Sequence, residues 1–187
     1  TGEAVLEYSR FYTENLAELF ATLTVSACAT WQAPPDTSDT SLRARAVTQS
    51  KAGVQLSAAV LGPQDSLRLF GTDVTASDVQ PVWIEVRNDT NHILWLLRSG
   101  TDPDYFSPLE VAWSAHTLLG GKTNERIDEH FGRLAFPHLI PARAARSGIL
   151  FTNPQPVHKL LNVDLLGHRM MVPFTLLLPV PGEASDL

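Results

Sequence analysis

The sequence predicts a mostly β sandwich of seven or eight strands with two short inserted helices and an N-terminal helix, and three observations predict it. Thirteen prolines and eleven glycines divide the 187 residues into short segments, a rhythm that suits strands joined by turns better than a helical bundle. Several segments alternate apolar and polar side chains or run apolar for four to eight residues, the patterns of half-buried and fully buried strands. The length suits one domain, which buries roughly 68–70% of the surface its unfolded chain exposes.

Residues 3–24 read as an amphipathic helix, because Val5, Tyr8, Tyr12, Leu16, Leu19, Phe20 and Leu23 recur every three or four residues. Residues 32–41, QAPPDTSDTS, are polar and proline-bearing and read as a tether. Segments 43–49 and 54–61 follow as strands, the second alternating through Val54, Leu56, Ala58 and Val60. Pro63 through Gly71 has proline at a helix start and glycine at its stop. Val82-Trp83-Ile84-Glu85-Val86 is the clearest strand; with the turn residues Asn88 to Asn91 and a returning 92–97 it predicts a hairpin. Segment 109–115 is a further strand candidate. Residues 123–135 break the β pattern: Thr123 can cap, and Ile127, Phe131 and Leu134 share one helical face. Segments 148–152, 159–166 and 170–179 complete the count, with the size and rhythm of an immunoglobulin-like sandwich. The domain plan is 1–27 as an N-terminal helix or signal-like segment, 28–41 as tether, 42–182 as sandwich and 183–187 as tail.

Fourteen basic against twenty acidic side chains give a net charge of −6. The basic residues are scattered, which disfavours nucleic-acid binding through released counterions. The one cysteine, Cys28, closes Val25-Ser26-Ala27-Cys28 just before the polar tether, where a bacterial lipoprotein carries its acylated cysteine. A lipid there ties the chain to a membrane and implies an extracytoplasmic, envelope location. The preceding segment departs from a signal peptide: Glu3, Glu7, Glu14 and Glu18 outnumber the lone Arg10, and Glu18 interrupts the apolar core. An ordinary helix there remains the competing reading.

Constellations for chemistry are sparse. Gly120-Gly121-Lys122-Thr123 ends like a phosphate loop, but the first glycine of that pattern is replaced by His116, so a glycine turn with a helix start is preferred. The six histidines lack ligand spacing; convergence of His130 and His138 with Asp128 is the one arrangement left open. Asp102-Pro103-Asp104, with Glu110 and His116 nearby, is the candidate cation site of a metal-dependent hydrolase, weighed against plain turn chemistry. No cofactor is expected and the balance leans against an enzyme. Trp83, Trp95, Tyr105, Phe106 and Trp113 fall on or beside β segments and are expected in the core between two sheets.

As a group, the stretches 54–61, Leu69-Phe70-Gly71-Thr72-Asp73, 80–88, Asp102 to Ala112, 147–152, Asn162 to Gly167 and Leu178-Pro179-Val180-Pro181-Gly182 resemble a group of uncharacterised bacterial envelope proteins. The resemblance implies a secreted, membrane-tethered β-sandwich and brings no catalytic residues. The expectation is therefore a non-enzymatic envelope lipoprotein that binds a protein or an envelope component.

Overall fold

Eight strands pair into two antiparallel sheets of four. In spatial order, sheet A holds β1 (Val47–Lys51), β2 (Val54–Val60), β3 (Gln80–Asn88) and β6 (Ala144–Thr152), and sheet B holds β5 (Leu139–Ile140), β4 (Leu94–Leu97), β7 (His158–Gly167) and β8 (Met170–Pro179). The helices are α1 (Thr40–Ala44), α2 (Pro63–Phe70), α3 (Pro108–Trp113) and α4 (Gly121–Leu134), with a 3-10 turn at Val74–Ser77. This computed structural model describes residues 31–97, 105–118 and 120–182. The expected N-terminal helix, Cys28, Asp102 and Asp104 lie outside the described residues.

The predicted alternation builds the first core. Leu56, Ala58, Val82, Ile84 and Val86 of sheet A face Leu161, Val163, Leu165, Phe174 and Leu176 of sheet B, which makes the two sheets a sandwich. The β1–β2 hairpin turns through Ala52 and Gly53, at φ 51° and 75°, the pair of left-handed residues that a two-residue loop requires.

A second core lies on the opposite face of sheet A. Ala59, Trp83, Ile149 and Phe151 meet Leu42 of α1, Leu69 and Phe70 of α2, and Ile127 and Phe131 of α4. Phe70 sits 4.7 Å from Phe131 and 5.6 Å from Phe151 between ring centroids, spacings at which aromatic pairs attract beyond their buried area. The domain therefore has three layers: helices, sheet A and sheet B.

Four local expectations change. Segment 109–115 is not a strand: Pro108 to Trp113 is helical, because Ser107 and Glu110 form a reciprocal capping box with proline at the first helical position. Residues 40–44, expected as the end of the tether and the start of a strand at 43, form α1, and the strand begins at Val47. β3 and β4 are not a hairpin but belong to different sheets, since β2 and β6 already flank β3. The fully buried Asn88 makes the crossing, its amide donating to the carbonyls of His92 at 2.8 Å and Pro141 at 3.0 Å. Gly120, not Thr123, is the cap residue of α4.

Residues 31–39 run against the domain. The Trp31 indole donates to the Phe70 carbonyl at 3.0 Å, and Arg68 donates to the Ser38 carbonyl at 2.8 Å.

The open edge of β6 is closed by single bridges from Phe106 and Ala135. Gly148 permits the second of these, because a Cβ there meets the Phe136 Cα at 2.5 Å and its backbone nitrogen at 2.7 Å. Backbone cannot swing aside as a side chain can. Gly148→Ala is expected to destabilise the domain by about 1–3 kcal/mol, read as a lower urea midpoint at unchanged slope.

Candidate functional site

Beside sheet A, a groove of about 350 Å³ opens between residues 37–39, α1, α4 and β6. Its apolar wall is Leu42, Leu69, Trp83, Leu134 and Ile149, and its polar groups are Thr37, Ser38, Asp39, Arg133 and Ser147. A few polar groups converging on an apolar wall is the usual composition of a small-ligand cleft, and the volume lies within the usual range.

The polar end is organised by one cation. Arg43 makes a two-pronged bond to Asp39, Nη1 to Oδ1 at 3.0 Å and Nη2 to Oδ2 at 2.9 Å, one helical turn apart. The same guanidinium reaches Glu85 on β3, Nη2 to Oε2 at 2.5 Å, and lies 5.6 Å from the centre of the Trp83 ring. Ser147 adds a hydroxyl bond to Asp39 at 3.2 Å. The hydrogen bond to Glu85 holds the Arg43 proton more tightly than usual, with the charges of Glu85 and Asp39 adding to it against the opposing effect of burial. Both carboxylates are thus held in fixed positions, α1 is tied to sheet A, and the cluster of two carboxylates and one guanidinium carries one net negative charge.

At the other end stands Arg133, near the C-terminus of α4. Its Nη2 lies 3.3 Å from Nδ1 of His130, which is 3% exposed. His130 Nε2 lies 2.7 Å from the Leu69 carbonyl. A carbonyl only accepts, so Nε2 carries the hydrogen and Nδ1 accepts from Arg133. Trp31 meets the His130 ring edge-on, with centroids 5.4 Å apart. A second depression of about 320 Å³ shares Thr37, Arg133 and Leu134 with the groove, so Arg133 stands between two concave surfaces.

Among the described residues, those singled out in the sequence are dispersed. Of the candidate cation ligands Asp102, Asp104 and Glu110, only Glu110 is described, and its carboxylate accepts the Ser107 N–H at 2.7 Å. His116 pairs with Asp128 at 2.8 Å. Asp128 and His130 therefore serve different partners, and the convergence left open with His138 does not form. Among the described residues, no three His, Cys, Asp or Glu side chains gather as metal ligands. Trp83 is buried against the helices and not between the sheets, while Trp95 and Trp113 are 44% and 60% exposed. The sequence pattern of residues 39–44 is that of tether and strand, which hides the Asp39–Arg43–Glu85 cluster. An Asp-x-x-x-Arg pair was its one local signal.

Comparison with protein-family models, curated proteins and solved structures finds no match to this chain. The functional reading accordingly rests on the geometry and the sequence.

Two outcomes follow from these contacts. Arg43→Met leaves Asp39 and Glu85 facing each other without their cation. The expected loss is about 1 kcal/mol, as for a half-exposed pair screened by solvent, and it shrinks in 1 M salt; urea unfolding at two salt concentrations measures it. The Ser107 backbone bond, followed by its hydroxyl bond, holds the Glu110 carboxyl below its ordinary value of 4.5. That contribution is complete above the ordinary glutamate range and is lost as pH falls through the depressed value. In Glu110→Gln the acid limb of the stability profile should be flatter, as thermal melts between about pH 3 and 6 would show.

Proposed function

We propose that this chain is a non-enzymatic bacterial envelope protein, held to the membrane through a lipid on Cys28, whose sandwich binds a protein or an envelope component in the groove beside sheet A. The observation that carries the binding half is the groove itself, a cleft of ligand size whose lining carboxylate, Asp39, is held by two bonds to Arg43. A carboxylate held by two guanidinium bonds supports shape and recognition better than proton transfer, which needs a carboxylate free to gain and lose its proton.

The tethering half is supported by Val25-Ser26-Ala27-Cys28 and the polar residues after it. One acyl chain, at about 0.8 kcal/mol per buried CH2, gives only marginal membrane binding, and two or more give a stable anchor. No described helix is long and apolar enough to cross a membrane.

Radiolabelled palmitate fed to the native host should enter the wild-type chain and not the Cys28→Ser variant; label retained by the variant overturns the anchor. For the groove, a photo-crosslinking residue at Ser147 should give adducts in the envelope that disappear when Thr37→Trp fills the cleft. Adducts unchanged by that substitution assign the binding elsewhere.

A further inference from the structure

The geometry points to a second copy of this chain as the occupant of the outer face of sheet B. That face is separate from the groove, because sheet A lies between them. Met171, Leu166, Trp95 and Leu139 are successive partners across β8, β7, β4 and β5, so they form one apolar row spanning the whole sheet. Leu160 and Leu177 pair farther along the two long strands. All six are between 42% and 59% exposed, whereas isolated apolar residues scattered over a surface would need no explanation.

Extent favours a protein partner. At a strand spacing of about 4.8 Å and a rise of about 3.3 Å per residue, the four strands cover roughly 400 Å² in projection. With side-chain relief the accessible surface is on the order of 600–800 Å², close to the share each partner gives to a standard interface. Two such faces packed together repeat the sheet-on-sheet contact already present inside the domain.

Charge permits a second copy on this face and disfavours a lipid surface. The chain carries a net charge of −6, so copies repel over most of their surfaces. On the outward positions of these four strands, Asp164 is the one Asp, Glu, Lys or Arg. Repulsion between copies is therefore lowest here. On the outward positions of these strands an anionic membrane would meet no Lys or Arg, Arg169 lying in the β7–β8 turn, and would have to accommodate Asp164.

The edge of the sheet argues for face-to-face contact over strand addition. Val180 N–H donates to the Val157 carbonyl, so by the alternation of an antiparallel ladder Pro173 and Pro179 occupy outward-directed positions of β8. Neither has a donor to offer a neighbouring strand. Lys51 also reaches across to the Pro173 carbonyl at 3.4 Å.

The test is sedimentation equilibrium on the full chain carrying Cys28→Ser, which prevents disulfide-linked dimers. A monomer–dimer equilibrium with a dissociation constant of roughly 1–100 μM is expected for an interface of this size. The double variant Leu166→Lys/Met171→Lys should weaken it at least tenfold while its unfolding midpoint stays near that of the parent. Leu118→Lys, fully exposed on the other side of sheet A, should leave the equilibrium unchanged. A monomer at every concentration up to about 500 μM, or a dimer indifferent to the double variant, overturns the inference. So does a monomer that co-sediments with phosphatidylethanolamine–phosphatidylglycerol vesicles and loses that binding in the double variant, since the face then belongs to a membrane.

Discussion

Along β3 and the adjoining buried parts of β2 and β6, sheet A is covered on both faces, and the rest of the domain depends on that. One face packs on sheet B through aliphatic side chains, and the other packs on the four helices through Trp83, Ile149 and Phe151. A sheet buried on both sides must be apolar in both phases of its alternation. β3 meets this requirement, with Pro81 through Ile84 all buried. It leaves little room for polar side chains except at the rim of the helical layer. There Glu85, on the helix-facing phase of β3, emerges and is neutralised by Arg43 from α1. The groove lies beside this cluster, at the border of residues 37–39, α1, α4 and β6.

The same layering explains the path of the chain. With β2 and β6 on its two sides, β3 has no free edge to pair with the strand that follows it. Hence the chain crosses to sheet B, and the buried Asn88 amide ties the crossing together through the carbonyls of His92 and Pro141. The Asn88-Asp89-Thr90 sequence reads as an exposed turn, and Asp89 is exposed. Its asparagine nevertheless points inward, where an unpaired amide or carbonyl is costly.

Patterns set by one element's own neighbours were legible in the sequence. The alternation of β2 and β8 predicts their inner faces, and proline and glycine bracket α2. What depended on distant partners was not legible. Leu109, Val111 and Trp113 alternate as a strand would, and only the Ser107-Pro108 start with Glu110 three residues after the serine distinguishes the helix. Glu85 lies 42 residues from Arg43, so no local pattern could join them, although Asp39 and Arg43 one helical turn apart offered half of the cluster. The aromatic residues misled for a related reason. A sandwich with one core would place Trp83 and Trp95 in it, whereas three layers place one between sheet and helices and leave the other facing outward.

Trp95 shows where the layering ends. Leu94-Trp95-Leu96-Leu97 is apolar without interruption, the pattern of a strand covered on both sides. Sheet A fulfils that pattern with helices on its second face. In sheet B the same kind of run meets protein on one side only: Leu94 and Leu96 are buried while Trp95 is 44% exposed. A sheet with one solvated face normally alternates apolar with polar residues, and β8 departs from that rule as well, with Met171, Pro173, Leu177 and Pro179 on its outer positions. The composition of sheet B is that of an internal layer, while its position within one chain is external. A second copy packed on that face resolves the mismatch by supplying the missing fourth layer.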